Sequence, residues 1–181
     1  AVNENITGYR RNRVFGTINY TFNRKYIVGF TVSRDGSSRF GANNRFGTFP
    51  SVKGAWNIDQ ESFLKNSKVL SALKLRIGYG STGNDQIGNF DGLNLFTAAG
   101  VYNNNAGLNF TQLGNPDLKW ETNTTLNFGI DFGLFNNRIT GVLELYNKIN
   151  SDLLIAQPLP NYTGFTTIST NIGKMQNKGV E

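Results

Sequence analysis

The longest regular feature of the sequence is an alternation of apolar and polar residues over positions 120–134. Its apolar face includes Trp120, Leu126, Phe128 and Ile130, whereas Asn127 and Gly129 lie on the opposite face. A period of two predicts a β-strand with one apolar and one polar side. Strands of globular proteins average about five to six residues, so a strand of this length favours a tilted membrane-crossing strand.

Six other segments alternate in the same way and complete an all-β interpretation. The predicted strands are 13–22, 26–34, 47–57, 72–80, 119–134, 138–153 and 169–181. Because hairpin-like connections join them in succession, we expect one antiparallel up-and-down meander of seven strands. The only plausible helical turn is predicted around 60–64.

The connections between these strands alternate between short and long. Short turns are predicted at 23–25 and 135–137, long connections at 34–46, 81–119 and 156–169, and one of medium length at 59–71. Aromatic residues also flank the short turns, as Phe22 and Tyr26 do around the first. Outer-membrane barrels have short turns on one side, long loops on the other and aromatic girdles at the interfaces.

Composition limits the chemistry that the chain can perform. It contains 14 Phe, 7 Tyr and 21 Gly but no histidine and no cysteine. The usual general base, the commonest zinc ligand and the thiolate nucleophile are therefore all missing. We assign no catalytic, metal-binding or cofactor-binding residues and expect no enzymatic activity. Basic residues stand singly within strands, so nucleic acid is not an expected partner.

Gly78, Gly80 and Gly83 have the spacing of a dinucleotide-binding fingerprint. That motif requires a helix to begin directly after it, because the helix N-terminus binds the pyrophosphate. The residues that follow, NDQIGNFDG, predict a loop leaving a strand instead. We therefore favour the structural interpretation of these glycines.

Two groups of acidic residues allow weaker functional hypotheses. Asp85, Asn89 and Asp91 vaguely resemble a calcium loop, but no closing Glu follows, and calcium binding in 81–119 stays an open alternative. Asp131 and Glu144 could face a common lumen, where paired carboxylates can hydrolyse glycosides. We favour pore-lining charges for this pair, because nothing indicates an environment that would raise a carboxyl pKa.

Several segments resemble conserved barrel segments of the SusC/RagA transporter family. They occur in the family's order and span nearly the whole chain, so together they are highly specific. The segments are RDGSSRFG at 34–41, GTFPS at 47–51, LKLRIGYGSTGN at 73–84, NPDLKWET at 115–122, DFGLFNNRITG at 131–141 and NIGKMQNKGVE at 171–181.

This resemblance implies the following expectations about the fold and the function. Residues 1–181 would be a partial TonB-dependent receptor β-barrel domain, supplying about seven of some 22 strands, with the plug domain absent. The whole protein would import oligosaccharides or peptides across the outer membrane of a Bacteroidetes-type bacterium. A SusD-like surface lipoprotein would act as its lid, and the TonB complex would supply energy.

Two other classes of protein are compatible with the strand pattern. The first is a soluble or surface-attached β-sandwich that binds glycans, because a half-buried sandwich strand alternates in the same way. The second, weaker one is a β-rich hydrolase. Asn, Tyr and Trp side chains in the long loops could contact a substrate, but the sequence does not select which of them do.

Overall fold

The computed structural model describes residues 7–41, 43–64, 67–102 and 105–181, and almost all of its regular structure is β-strand. Seven strands form one antiparallel sheet in consecutive order. They are β1 (Arg11–Phe22), β2 (Tyr26–Ser37), β3 (Phe46–Asn57), β4 (Leu70–Asn84), β7 (Glu121–Leu134), β8 (Ile139–Ser151) and β11 (Lys174–Val180). The predicted seven-stranded meander is confirmed. No helix among the described residues has the length and apolar character needed to cross a membrane.

Two small hairpins lie within the long connections of this meander. The first pairs β5 (Leu95–Tyr102) with β6 (Asn105–Gln112), and the second pairs β9 (Leu154–Pro158) with β10 (Thr167–Asn171). The interpretation of 81–119 and 156–169 as connections without strands was therefore wrong. Register shifts between Ala98 and Val101 interrupt the alternation of β5, and β9 and β10 have only five residues each. Sequence periodicity does not detect such short or bulged strands.

Three predicted strand boundaries also need correction. The segment 169–181 is not one strand, because its first residues pair with β9 and its last with β8. Gly173, with φ +94°, separates the two parts in a conformation that L-residues rarely adopt. β2 continues to Ser37 and β4 to Asn84, so both extend beyond their predicted ends. The helical turn is a 3-10 turn at Ile58–Gln60, two residues earlier than predicted.

Both short turns form where the sequence predicts them, with left-handed backbone conformations. Asn23 and Arg24 have φ of 49° and 58°, and Lys25 N–H donates to the Phe22 carbonyl at 2.9 Å. Two successive positive φ angles define the type I′ turn, whose twist matches that of a hairpin. Asn136 and Asn137 are also left-handed, a conformation that asparagine tolerates better than most residues do.

The main buried hydrophobic cluster lies at the sheet end that carries the long connections. Phe40, Phe49, Leu118 and Trp120 form this loop-end core, in which the Trp120 ring lies 5.1 Å from Phe40 and 5.7 Å from Phe49. The sequence places Trp120 on the apolar face of the long strand, and this assignment is wrong. Trp120 precedes β7 and donates its Nε1–H to the Arg45 carbonyl at 3.2 Å.

A polar cluster ties together the connections at the opposite end of the sheet. The Glu61 carboxylate accepts hydrogen bonds from Lys25 Nζ at 2.7 Å, Tyr26 OH at 2.8 Å and Trp56 Nε1 at 3.1 Å. These donors, Lys25 first, hold the pKa of Glu61 at about 2. Glu61 therefore links the first hairpin to the connection between β3 and β4.

Replacing Leu118 with Ala should destabilise the loop-end core by about 2 to 5 kcal/mol, since the side chain is fully buried. Leu108→Ala is the matched control, because Leu108 is 77% exposed and should change stability by less than about 0.5 kcal/mol. Denaturant titration monitored by Trp fluorescence measures both variants. Equal stability of the two would show that this core does not hold the long connections.

Glu61→Gln should remove a pH-dependent part of the stability. Because the folded-state pKa lies below its ordinary value, ionised Glu61 stabilises the fold above about pH 4.5, and this contribution disappears as the pH falls towards 2. The denaturation midpoint of Glu61→Gln should therefore lie below that of the parent at neutral pH and approach it near pH 2. A difference between the two proteins that did not depend on pH would contradict the assigned role.

Candidate substrate-facing surface

The register of the seven-stranded sheet separates an apolar face from a polar face. One transverse row on the apolar face aligns Ile18, Phe30, Val52, Tyr79 and Leu126 across five successive strands. All five side chains are exposed. A monomeric soluble protein rarely exposes an apolar patch that continues across five strands, so this face requires an apolar environment.

The neighbouring row on the other face is almost entirely hydroxyl-bearing. It aligns Thr17, Thr31, Ser51, Gly80 and Thr125, and the hydroxyl oxygens of its first two members lie 3.1 Å apart. We call this side of the sheet the polar face. Rows of hydroxyl groups of this kind are typical of a surface that contacts water.

The paired carboxylates Asp131 and Glu144 meet on the polar face, but a guanidinium lies between them. Arg76 Nη2 is 2.8 Å from Asp131 Oδ1 and 3.7 Å from Glu144 Oε2, and Arg76 Nε also donates to Asp131. The structure thus confirms that the two carboxylates share one face. Both take part in an ion-pair network, which supports their interpretation as charges that line a polar surface.

The glycines of the fingerprint-like motif lie inside a strand. Gly78, Gly80 and Gly83 all belong to β4, and the described residues that follow it form turns rather than a helix. A dinucleotide fingerprint needs the N-terminus of a helix to receive the pyrophosphate. The geometry of that motif is therefore not formed, and the structural interpretation of the glycines holds.

Each side chain of the calcium-like segment is engaged by protein groups. Asp85 Oδ1 lies 3.5 Å from Arg11 Nη1, Asn89 Oδ1 accepts from Arg39 Nε at 3.0 Å, and Asp91 accepts from the Ser169 hydroxyl at 3.1 Å. Within the described parts of the chain, no three acidic, histidine or cysteine side chains converge on a point that could hold a metal. These contacts fasten the segment to its neighbours.

A buried ion-pair cluster that the sequence pattern does not predict lies at the loop end of the polar face. Asp35 is fully buried, and its carboxylate lies 2.8 Å from Arg13 Nε and 3.7 Å from Arg11 Nη2. Arg11 continues the network to Asp85, as described above. The sequence predicts a loop at Asp35, which is wrong because β2 continues to Ser37. The sequence signal for this cluster is the pair Arg11 and Arg13 on β1, because residues two apart on a strand share one face.

Known proteins match this chain along most of its length. The family described as TonB dependent receptor-like, beta-barrel matches residues 2–181. The TonB-dependent receptor SusC of Bacteroides thetaiotaomicron is 42% identical over 175 residues, covering 92% of this chain and 17% of that protein. TonB-dependent receptor P39 of Formosa agariphila is 39% identical over 175 residues, covering 97% of this chain and 17% of that protein.

Solved structures give the same result. The RagAB peptide importer in its open-open state matches with a TM-score of 0.89 and 40% identity, over 95% of this chain and 19% of the matched chain. The RagAB peptide transporter matches with a TM-score of 0.87 at the same identity and coverage. The chain thus spans less than a fifth of the length of these relatives. Because the family match covers residues 2–181 and the relatives are about 40% identical over nearly the whole chain, the chain belongs to the TonB-dependent receptor-like β-barrel family.

Proposed function

We propose that this chain forms part of the wall of an outer-membrane TonB-dependent importer of the SusC/RagA type. The observation that carries the proposal is the contrast between the exposed apolar face of the sheet and its ion-paired polar face. Such a sheet is suited to lipid on one side and an aqueous lumen on the other. The polar face then lines the path of the substrate.

The edges of the sheet support closure into a larger barrel. β1 and β11 are the outermost strands, so each carries one row of backbone groups that no described strand pairs. Unpaired backbone groups are costly within a bilayer, because lipid offers no hydrogen bonds. Further strands of the same protein would pair with both edges, and residues 1–181 would be one section of a barrel with about 22 strands.

The cargo proposed for the whole protein is an oligosaccharide or a peptide. The resemblance to the SusC/RagA family implies this choice of cargo, and one of the matched structures is a peptide importer. A SusD-like surface lipoprotein would close the outer side, and the TonB complex would drive uptake from the inner side. No chemical change of the cargo is proposed.

The rival β-sandwich module is not favoured. A sandwich needs two large sheets packed face to face, whereas the described residues form a single seven-stranded sheet and two small hairpins. The apolar face that a sandwich would bury is exposed.

A charge introduced on either face of β7 tests the membrane assignment in the whole transporter. Phe128→Arg places a charge on the apolar face and should cost roughly 2 to 4 kcal/mol near the bilayer midplane. Asn127→Arg places the same charge on the polar face and should fold almost normally. Heat-modifiable gel migration and denaturant titration in lipid vesicles measure the folded fraction. Greater damage by Asn127→Arg would reverse the faces, and two harmless substitutions would place β7 outside the membrane.

The transporter should not bind nicotinamide dinucleotides at Gly78–Gly83, because β4 presents no helix N-terminus to a pyrophosphate. Isothermal titration with NAD should give no saturable heat. Stoichiometric binding that disappears in Gly80→Ala would contradict this expectation and reopen the enzymatic alternative.

A further inference from the structure

Three arginines lie at the loop end of the sheet, where its apolar face stops. Arg34 belongs to the apolar face, because the register aligns it with Val14 on β1 and Thr48 on β3. Arg10 directly precedes β1, Arg45 directly precedes β3, and all three arginine side chains are exposed. Among the described residues, none of these three guanidinium groups lies within ion-pair distance of a carboxylate. The rim of the apolar face therefore carries positive charge that the described chain does not neutralise.

The position of Arg34 along β2 corresponds to the outer boundary of a bilayer. Tyr26 begins the apolar face of this strand beside the short turn, and Arg34 follows its last apolar residue, Val32. A membrane-crossing β-strand needs about 9 to 11 residues, and the segment 26–34 falls within this range. Short turns lie on the inner side of outer-membrane barrels and long loops on the outer side. The Arg34 guanidinium therefore reaches the level of the outer headgroups.

An aromatic ring lies beside this guanidinium at the same level. Arg34 Cζ is 5.3 Å from the centre of the Phe46 ring, which is a cation–π contact. Phe46 also belongs to the apolar face, because it aligns with Gly36 on β2, and it is 56% exposed. Aromatic rings are enriched at the boundary between hydrocarbon and headgroups. The pair thus presents an apolar surface and a positive charge next to each other.

A small cavity beside the Phe46 ring brings the other two arginines together. Arg10, Asn12 and Arg45 line this cavity with Phe46, and its volume is about 140 Å³. Sites for whole small-molecule ligands have volumes of roughly 300 to 1,000 Å³, so this cavity suits one headgroup of a larger ligand. Guanidinium groups bind phosphate oxygens through two parallel N–H donors, and the Asn12 amide can donate as well. The cavity therefore offers hydrogen-bond donors and positive charge to an anion.

Neighbouring carboxylates are engaged by other cations. Asp152 lines a second cavity beside Phe46 and pairs with Lys119 Nζ at 3.1 Å. Asp35 follows Arg34 in sequence, but it lies on the polar face and pairs with Arg13. A charge without a partner is expensive at the edge of the hydrocarbon layer, so the three arginines require an external anion.

The exposure of this rim does not depend on strands outside the chain. β2 and β3 have neighbours on both sides within the described sheet. Further strands of a barrel would extend the sheet beyond β1 and β11 and would leave its outward face against lipid. A lipid also differs from a soluble polyanion, because its acyl chains can cover the apolar residues that continue from Phe46 towards the short turns.

We propose that Arg10, Arg34 and Arg45 bind the phosphate headgroup of an outer-leaflet lipid, whose acyl chains lie along the apolar face. The inference rests on the proposed function, because it requires lipid against that face.

Titration of the full-length transporter with lipid A in neutral detergent micelles tests the proposal. The parent should bind phosphorylated lipid A about tenfold more tightly than dephosphorylated lipid A. Arg34→Gln should abolish this preference, since glutamine keeps a hydrogen-bonding side chain but carries no charge. Arg24→Gln is the matched control, because Arg24 is also exposed but lies in the first short turn, on the opposite side of the membrane. Anisotropy of a fluorescent lipid measures Kd, and heat-modifiable migration confirms that the variants fold.

Three results would overturn the lipid site. The first is equal binding of the two lipids by the parent. The second is an equal loss of preference in Arg34→Gln and Arg24→Gln, which would show attraction by net charge alone. The third concerns inorganic phosphate, which should bind at least about tenfold more weakly than the phosphorylated lipid, because it gains nothing from the apolar face. Equal affinity would assign the cavity to a free anion.

A second substitution decides the case in which Arg34→Gln folds poorly. Arg45→Gln changes a residue outside the strands and should also weaken the preference for phosphorylated lipid A. A preference unchanged by Arg45→Gln would then overturn the proposal. Insertion of the parent into phosphatidylcholine vesicles is measured in parallel. A parent that does not insert would contradict the proposed membrane function itself, whereas a parent that inserts without any preference for phosphate would contradict the lipid site alone.

Discussion

The long antiparallel ladder between β4 and β7 fixes which side chains of these two strands share a face of the sheet. It pairs the strands from Leu70 with Leu134 to Asn84 with Glu121, with one irregularity near its first pair. Because the side-chain period is two, a slip of one residue would exchange the faces. Either Arg76 or Asp131 would then lie on the apolar face, where charges are expensive in a bilayer, and their ion pair would be lost. The hydrophobic alternation and the ion pairs therefore specify the same register.

The sheet does not rest on a hydrophobic core of its own. Its large apolar side chains are exposed on one face, and the main packed cluster lies beyond the sheet, around Leu118 and Trp120. The strands are instead joined by backbone ladders and by ion pairs on the polar face, such as Arg13 with Asp35. The environment of the apolar face must supply the remaining stabilisation, and in a bilayer the lipid chains do so. The loop-end core has the separate task of holding the long connections against the sheet.

The polar face combines rigid and open regions. Ion pairs occupy the area near Asp35 and the area around Arg76, whereas the region between them presents hydroxyls, amides and the open position at Gly78. Glycine at this position weakens the strand, because it adds backbone entropy to the unfolded chain and packs no side chain. Two other glycines on the same face are covered by long side chains: Lys53 lies over Gly29, and Arg76 lies over Gly129. Gly78 has no such cover, so the polar face is open at this position.

The sequence alone determined the class of fold, the meander, both short turns and the two faces of β7. These features depend on local patterns, namely a period of two and residues that tolerate a left-handed backbone, so they can be recognised without coordinates. Family membership was also accessible, because six segments carry it in order. The two small hairpins, the split at Gly173 and the burial of Trp120 were decided by tertiary structure, since they depend on contacts between segments distant in sequence. The Asp35 ion pairs and the open position at Gly78 belong to the same group, because only the register across several strands shows which side chains fill or leave a space.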